Sequence, residues 1–118
     1  MQVLGLVFVG SSTGERAAMA SFAREVLGLT ARPAAAGPVD GDVFDLPGGA
    51  TFAVVDADPD EGPYRTVGFL VADLDAALAE LAAAGVETGE PGDNGLERYV
   101  HVRAPDGHLY ELVQRHGG

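Results

Sequence analysis

The chain of 118 residues is the size of one domain, and with 47% hydrophobic residues it can bury a core. Its 18 acidic and 7 basic residues leave a net charge of −11, which repels phosphate backbones and anionic lipid. Nucleic-acid and membrane-surface roles are therefore set aside. No cysteine is present, so disulfides, thiol nucleophiles and thiolate metal sites are excluded.

The opening "MQVLGLVFVG" has no basic leader region and is too short to span a bilayer; it reads as the first strand of a cytoplasmic protein. Ser12 and Glu15 have capping-box spacing, which predicts a helix start after the strand at 3–9. Met19, Phe22, Ala23, Val26 and Leu27 form one apolar stripe at helical spacing, and Gly28 stops the helix. "LTARPAAAGPVDG" is a short strand and a loop. "DVFDL" and "ATFAVVDA" are strands joined by "PGG".

After the polar link "DPDEGP" the order repeats. "YRTVGFLV" is a strand, and Asp73 caps a helix with Leu74, Leu78 and Leu81 on one stripe, ended by Gly85. "VETGEPGDNG" is a short strand and loop; "ERYVHVR" and "HLYELVQ" are strands joined by "PDG". The hairpin stretch Pro47 to Val55 runs parallel to Pro105 to Val113, with proline, glycine and the aromatic at the same offsets. Together with the repeated helix and its terminal glycine, this indicates an internal duplication. The expectation is an α+β protein of two βαβββ modules, residues 1–60 and 61–118, within a single domain.

Pro105 suits the first central position of a type I turn, followed by a left-handed Gly107. That turn sets Ala104 opposite His108, and so Arg103 opposite Leu109, His101 opposite Glu111 and Tyr99 opposite Val113. Val100, Val102, Tyr110 and Leu112 take the other, more uniformly apolar face, expected to pack on helices. In "RTVGFLV" the glycine Gly68 is read as facing the helix, which assigns Val67, Phe69 and Val71 to the open face.

"REVLGL" (24–29), "VADLDAALAELAAAGV" (71–86) and "APDGHLYELV" (104–113) resemble the vicinal oxygen chelate superfamily of glyoxalase I, bleomycin-resistance proteins and extradiol dioxygenases. The resemblance covers essentially the whole chain and implies paired modules whose mixed sheets curl round a cleft. It also implies a homodimer, as is common for short members. In metal-dependent members, four cleft positions bind the metal. Their counterparts here are Gly5, Val67, Ala53 and Glu111, of which only Glu111 can ligate. Ala104 departs from the aspartate frequent before Pro-Asp-Gly.

All three histidines, His101, His108 and His116, lie in the last 18 residues. A catalytic zinc takes about three protein ligands, and a non-haem iron site takes two histidines and a carboxylate. His101 and Glu111 lack a third donor, so no metal and no other cofactor is expected. The ligand-binding candidates are Val67, Phe69, Val71, Tyr99, His101, Arg103 and Glu111.

The favoured reading is a metal-independent protein that binds a small molecule, sequestering a planar or cationic organic compound such as an antibiotic. The alternatives are a glyoxalase-type lyase or isomerase with Glu111 and His101 as catalytic pair, and a non-catalytic interaction protein. A structural cross-strand pair is the plain alternative for those two residues.

Overall fold

A long run of apolar and β-branched residues carries the chain through strand β1, Val3–Thr13. Helix α1, Arg16–Ser21, follows and widens into a π-helical turn at Phe22–Val26. Three strands come next: β2 (Thr30–Ala31), β3 (Asp42–Asp45) and β4 (Thr51–Asp56). Strand β5 (Tyr64–Val71), helix α2 (Leu74–Ala83) and strands β6 (Gly92–Asp93), β7 (Glu97–Arg103) and β8 (Leu109–Arg115) repeat that order. The structure is a computed structural model and describes residues 1–33 and 40–116. Most of the loop expected after β2, and the Gly117-Gly118 end, lie outside the described residues. Element order βαβββ, twice, is the expected α+β arrangement.

Two compact units form, one of residues 8–65 and one of residues 1–7 with 66–118, so β1 contributes to both. In the first, the strand order is β2-β3-β4-β1, with β4 antiparallel to β3 and parallel to β1. Ala20, Ala23, Phe44 and Val54 form its core, and the Phe44 and Phe52 rings lie 6.2 Å apart. In the second, the order is β5-β8-β7-β6, with β8 parallel to β5 and antiparallel to β7. Its core is Val71, Leu74, Ala77, Val100, Val102 and Leu112.

The duplication extends to register. Ala53 pairs with Gly10 and with Val43, whereas Glu111 pairs with Gly68 and with His101. Every counterpart is displaced by 58 residues (68 minus 10, 101 minus 43, 111 minus 53). The helix starts, Arg16 and Leu74, keep the same spacing.

Helix α2 begins as its sequence demands. Asp73 Oδ1 accepts from Ala76 N at 3.1 Å. Gln114 Oε1, from β8, accepts from Leu74 N at 2.7 Å, and Arg98 of β7 pairs with Asp75 at 2.9 Å. Gly85, at φ +73°, takes the left-handed turn that ends the helix.

Helix α1 departs from expectation in two ways. Ser12 does not cap it: β1 continues through Thr13, the helix starts after Glu15 without a side-chain cap, and Thr13 Oγ1 accepts from Glu15 N instead. The expected apolar stripe is also split, since Phe22, Val26 and Leu27 are exposed while Ala20 and Ala23 are buried. The π turn, in which Leu27 N reaches back to Phe22 O, shifts the helical phase that the stripe assumed. Among the described residues no helix is long and apolar enough to cross a membrane.

The Asp73→Ala variant should lose about 1 kcal/mol of stability, the usual value of an N-cap. A lower urea midpoint with an unchanged slope would show it.

Candidate functional site

The loop Ala104 to His108 sets the site. Gly107 N donates to Ala104 O and Ala104 N to His108 O, both at 2.9 Å, and Gly107 has φ +83°. Asp106 Oδ1 accepts from His108 N at 3.0 Å. The hairpin then aligns Arg103 with Leu109, His101 with Glu111 and Tyr99 with Val113, the register expected from the turn.

On that face His101 Nε2 lies 3.1 Å from Glu111 Oε2, an ion pair when the imidazole is protonated. The Glu111 side chain is 14% exposed and the His101 side chain 44%, so the carboxylate lies back and the imidazole lies forward. The Glu111 carboxylate beside it raises the His101 pKa above its ordinary value, outweighing the opposing effect of partial burial. The Tyr99 ring meets the His101 ring edge-on, with centroids 6.0 Å apart.

Tyr99 owes its place to Gly92, its partner on β6. A Cβ at Gly92 would stand 2.5 Å from Tyr99 Cζ and 2.7 Å from its hydroxyl oxygen, so any larger residue evicts the ring. Sequence reasoning missed Gly92; a glycine one short turn before "ERYVHVR" was the available signal. Arg103 shares the face by register, but Nη1 donates to Gly107 O at 2.6 Å, which ties it to the turn.

The structure reverses the expected facing of β5. Gly68 is level with Glu111, and Val67 with Tyr110. Val71 belongs to the core beneath helix α2, Phe69 packs against that core, and the Phe69 and Tyr110 rings stack with centroids 6.2 Å apart. Val67, Phe69 and Val71 therefore face the helix side. Thr66, Gly68 and Leu70 share the Glu111 face, where Thr66 is a buried polar residue that sequence reasoning passed over. Both faces of "RTVGFLV" are apolar enough that alternation alone does not choose between them.

The matching of Gly5 with Val67 is corrected too. Gly5 stands eleven residues before the start of α1 and Val67 seven before α2, whereas Gly10 and Gly68 both stand six before. Ala53 pairs with Gly10, and neither carries a donor. Among the described residues no three His, Cys, Asp or Glu side chains gather to hold a metal ion. The donors His101 and Glu111 do not fit a site that takes about three protein ligands.

A family model described as the glyoxalase/bleomycin resistance protein/dioxygenase superfamily matches residues 4–112. The chain belongs to this superfamily. A comparison with curated proteins gave no match. Among solved structures, methylmalonyl-CoA epimerase from Mycobacterium tuberculosis superposes with a TM-score of 0.74 at 20% identity, over 96% of this chain and 89% of that one. A variant of the Streptomyces coelicolor methylmalonyl-CoA epimerase, in complex with 2-nitronate-propionyl-CoA, gives 0.73 at 18% identity over 98% and 100%. A hypothetical protein from Bacillus halodurans gives 0.71 at 15% identity over 96% and 95%. At these identities the likeness is one of superfamily fold.

Because the folded pKa of His101 is raised, the pair stabilises the fold fully below the unfolded value of about 6.5 and loses that contribution as pH rises through the folded value. Thermal unfolding of the wild type and His101→Gln across this range should show a stability gap that narrows as pH rises. A gap that widens with pH would contradict the assignment.

Proposed function

We propose that the strand face bearing Tyr99, His101 and Glu111 binds a small organic molecule, planar or cationic, without a metal. One observation carries this reading. Glu111 is mostly buried, yet the one side-chain partner its carboxylate has among the described residues is His101, 3.1 Å from Oε2. A carboxylate so withdrawn from water gains from a cation brought to it, and the Tyr99 ring beside it offers a flat surface. The charge of −11 supports a cationic or neutral ligand over an anionic polyphosphate such as a CoA ester.

A second reading is an acid–base lyase, isomerase or epimerase using Glu111 and His101. The close His101–Glu111 pair and the similarity to epimerases favour it. A second copy is the proposed partner, supported by the exposed Val3, Leu4 and Leu6 of β1.

A thermal-shift series of flat cations and flat neutral compounds should raise the melting temperature for the cations. Glu111→Gln should weaken their binding about tenfold or more, the value of one charge-assisted hydrogen bond. If nothing in the series binds, the reading fails. Turnover of a hemithioacetal or an acyl thioester, abolished in Glu111→Gln, would establish the enzyme reading instead. Light scattering should give twice the chain mass; a monomer at micromolar concentration would overturn the proposed pairing of copies.

A further inference from the structure

The Tyr99 ring rests on backbone. A Cβ at Gly92 would lie 2.5 Å from Tyr99 Cζ, 2.7 Å from Oη and 2.8 Å from Cε2, so the phenol end of the ring covers Gly92. An aromatic covers a facing glycine in this way where the strand has no side chain of its own to pack.

The floor under the ring is a weak element. Strand β6 has two residues, Gly92 and Asp93, and stands last in the order β5-β8-β7-β6. Gly92 pairs with Tyr99 and Asp93 with Arg98. Successive strand residues face opposite sides, so Asp93 points away from the Tyr99 face. An edge element this short opens locally at low cost.

Asp93 is held from behind. Its Oδ1 accepts from Gly95 N at 2.9 Å, and His116 Nε2 lies 2.8 Å from Oδ1 and 2.9 Å from Oδ2. His116 stands just past the end of β8, where its N donates to Leu96 O at 3.0 Å. The imidazole thus ties β6 to the end of β8, two places away in the strand order. Arg98, the other cation acting on Asp93, is engaged with Asp75 of α2 at 2.9 Å. The segment is anchored at its entry, where Gly89 N donates to His101 O at 2.9 Å, and in the following turn, where Asn94 N donates to Glu97 O at 3.1 Å.

We propose, resting on the binding reading above, that His116 is a positioning residue for the site: through Asp93 it braces β6, and β6 seats the Tyr99 ring as the flat wall of the ligand surface. His116 itself touches no ligand. Its effect passes from the back of the sheet to the front through one two-residue strand.

The test compares the full chain with His116→Leu and His116→Gln by NMR. Glutamine places an N–H donor near the position of Nε2, and leucine removes it. In His116→Leu the contact between the Gly92 α-protons and the Tyr99 ring should weaken. The Asn94 amide should exchange about fivefold faster, the upper value of one exposed ion pair. The Ala77 amide of α2, bonded to Asp73 O, should keep its rate. His116→Gln should restore the contact and the Asn94 rate. Binding of proflavine, a flat cation, should weaken up to about fivefold in His116→Leu and recover in His116→Gln.

An unchanged Gly92–Tyr99 contact in His116→Leu overturns the inference. So does equal acceleration of Asn94 and Ala77, which would make His116 a support of the whole fold. Proflavine binding that survives loss of the contact removes Tyr99 as the wall, and the inference with it. If the wild type binds no flat compound, the binding reading fails, while the contact and the exchange rates still decide whether His116 seats Tyr99.

Discussion

Glu111 meets His101 because the chain between Ala104 and His108 can turn in one way. Pro105 enters the turn with its φ already set, Asp106 Oδ1 holds the amide of His108, and Gly107 takes a positive φ. The hydrogen bond from Ala104 N to His108 O then closes the hairpin. A slip of one residue on β8 would send Glu111 toward the helix and bring Leu112 out beside His101. Burying a lone carboxylate among Val71, Leu74 and Val100 would cost far more than the slip could return. The turn and the core therefore enforce the same register from two directions.

The polar side chains of β7 and β8 are divided by face. Toward helix α2, Gln114 holds the amide of Leu74 and Arg98 holds Asp75, so both are spent on fixing the first turn of the helix. Tyr110 likewise donates to Asp106 at 3.0 Å and stays with the turn. On the opposite face, His101 and Glu111 stand 3.1 Å apart, with no hydrogen-bond partner for either side chain among the other described residues. Arg103 shares this second face but is tied back to the turn through Gly107 O.

How much the sequence revealed follows from how local each determinant was. The β7–β8 register was legible because a five-residue turn decides it, and the α2 boundaries because Asp73 and Gly85 mark them. The facing of β5 was not legible. Its partner β8 is parallel and 43 residues away (110 minus 67), and Val67, Phe69 and Leu70 offer apolar groups to both sides. Helix α1 misled for a different reason: Ser12 and Glu15 have the spacing of a cap, but β1 runs past Ser12 to Thr13. The π turn at Phe22–Val26 then shifts a stripe that a regular helix would have buried, leaving Phe22 and Val26 at the surface. The superfamily was readable from motifs because turn and helix-end chemistry is what those motifs encode.

The unbroken 58-residue displacement between Ala53 and Glu111, and between Val43 and His101, has a consequence for how this protein can change. The molecule carries its own blank: a second hairpin of the same register with valine and alanine in place of histidine and glutamate. A histidine at 43 and a carboxylate at 53 would stand opposite each other as His101 and Glu111 do, with no adjustment of loop length. The turn and helix-start spacings are what both copies hold in common, while the pair facing the sheet surface is where they have parted. The two hairpins share one pattern of pairing and differ in the side chains mounted on it.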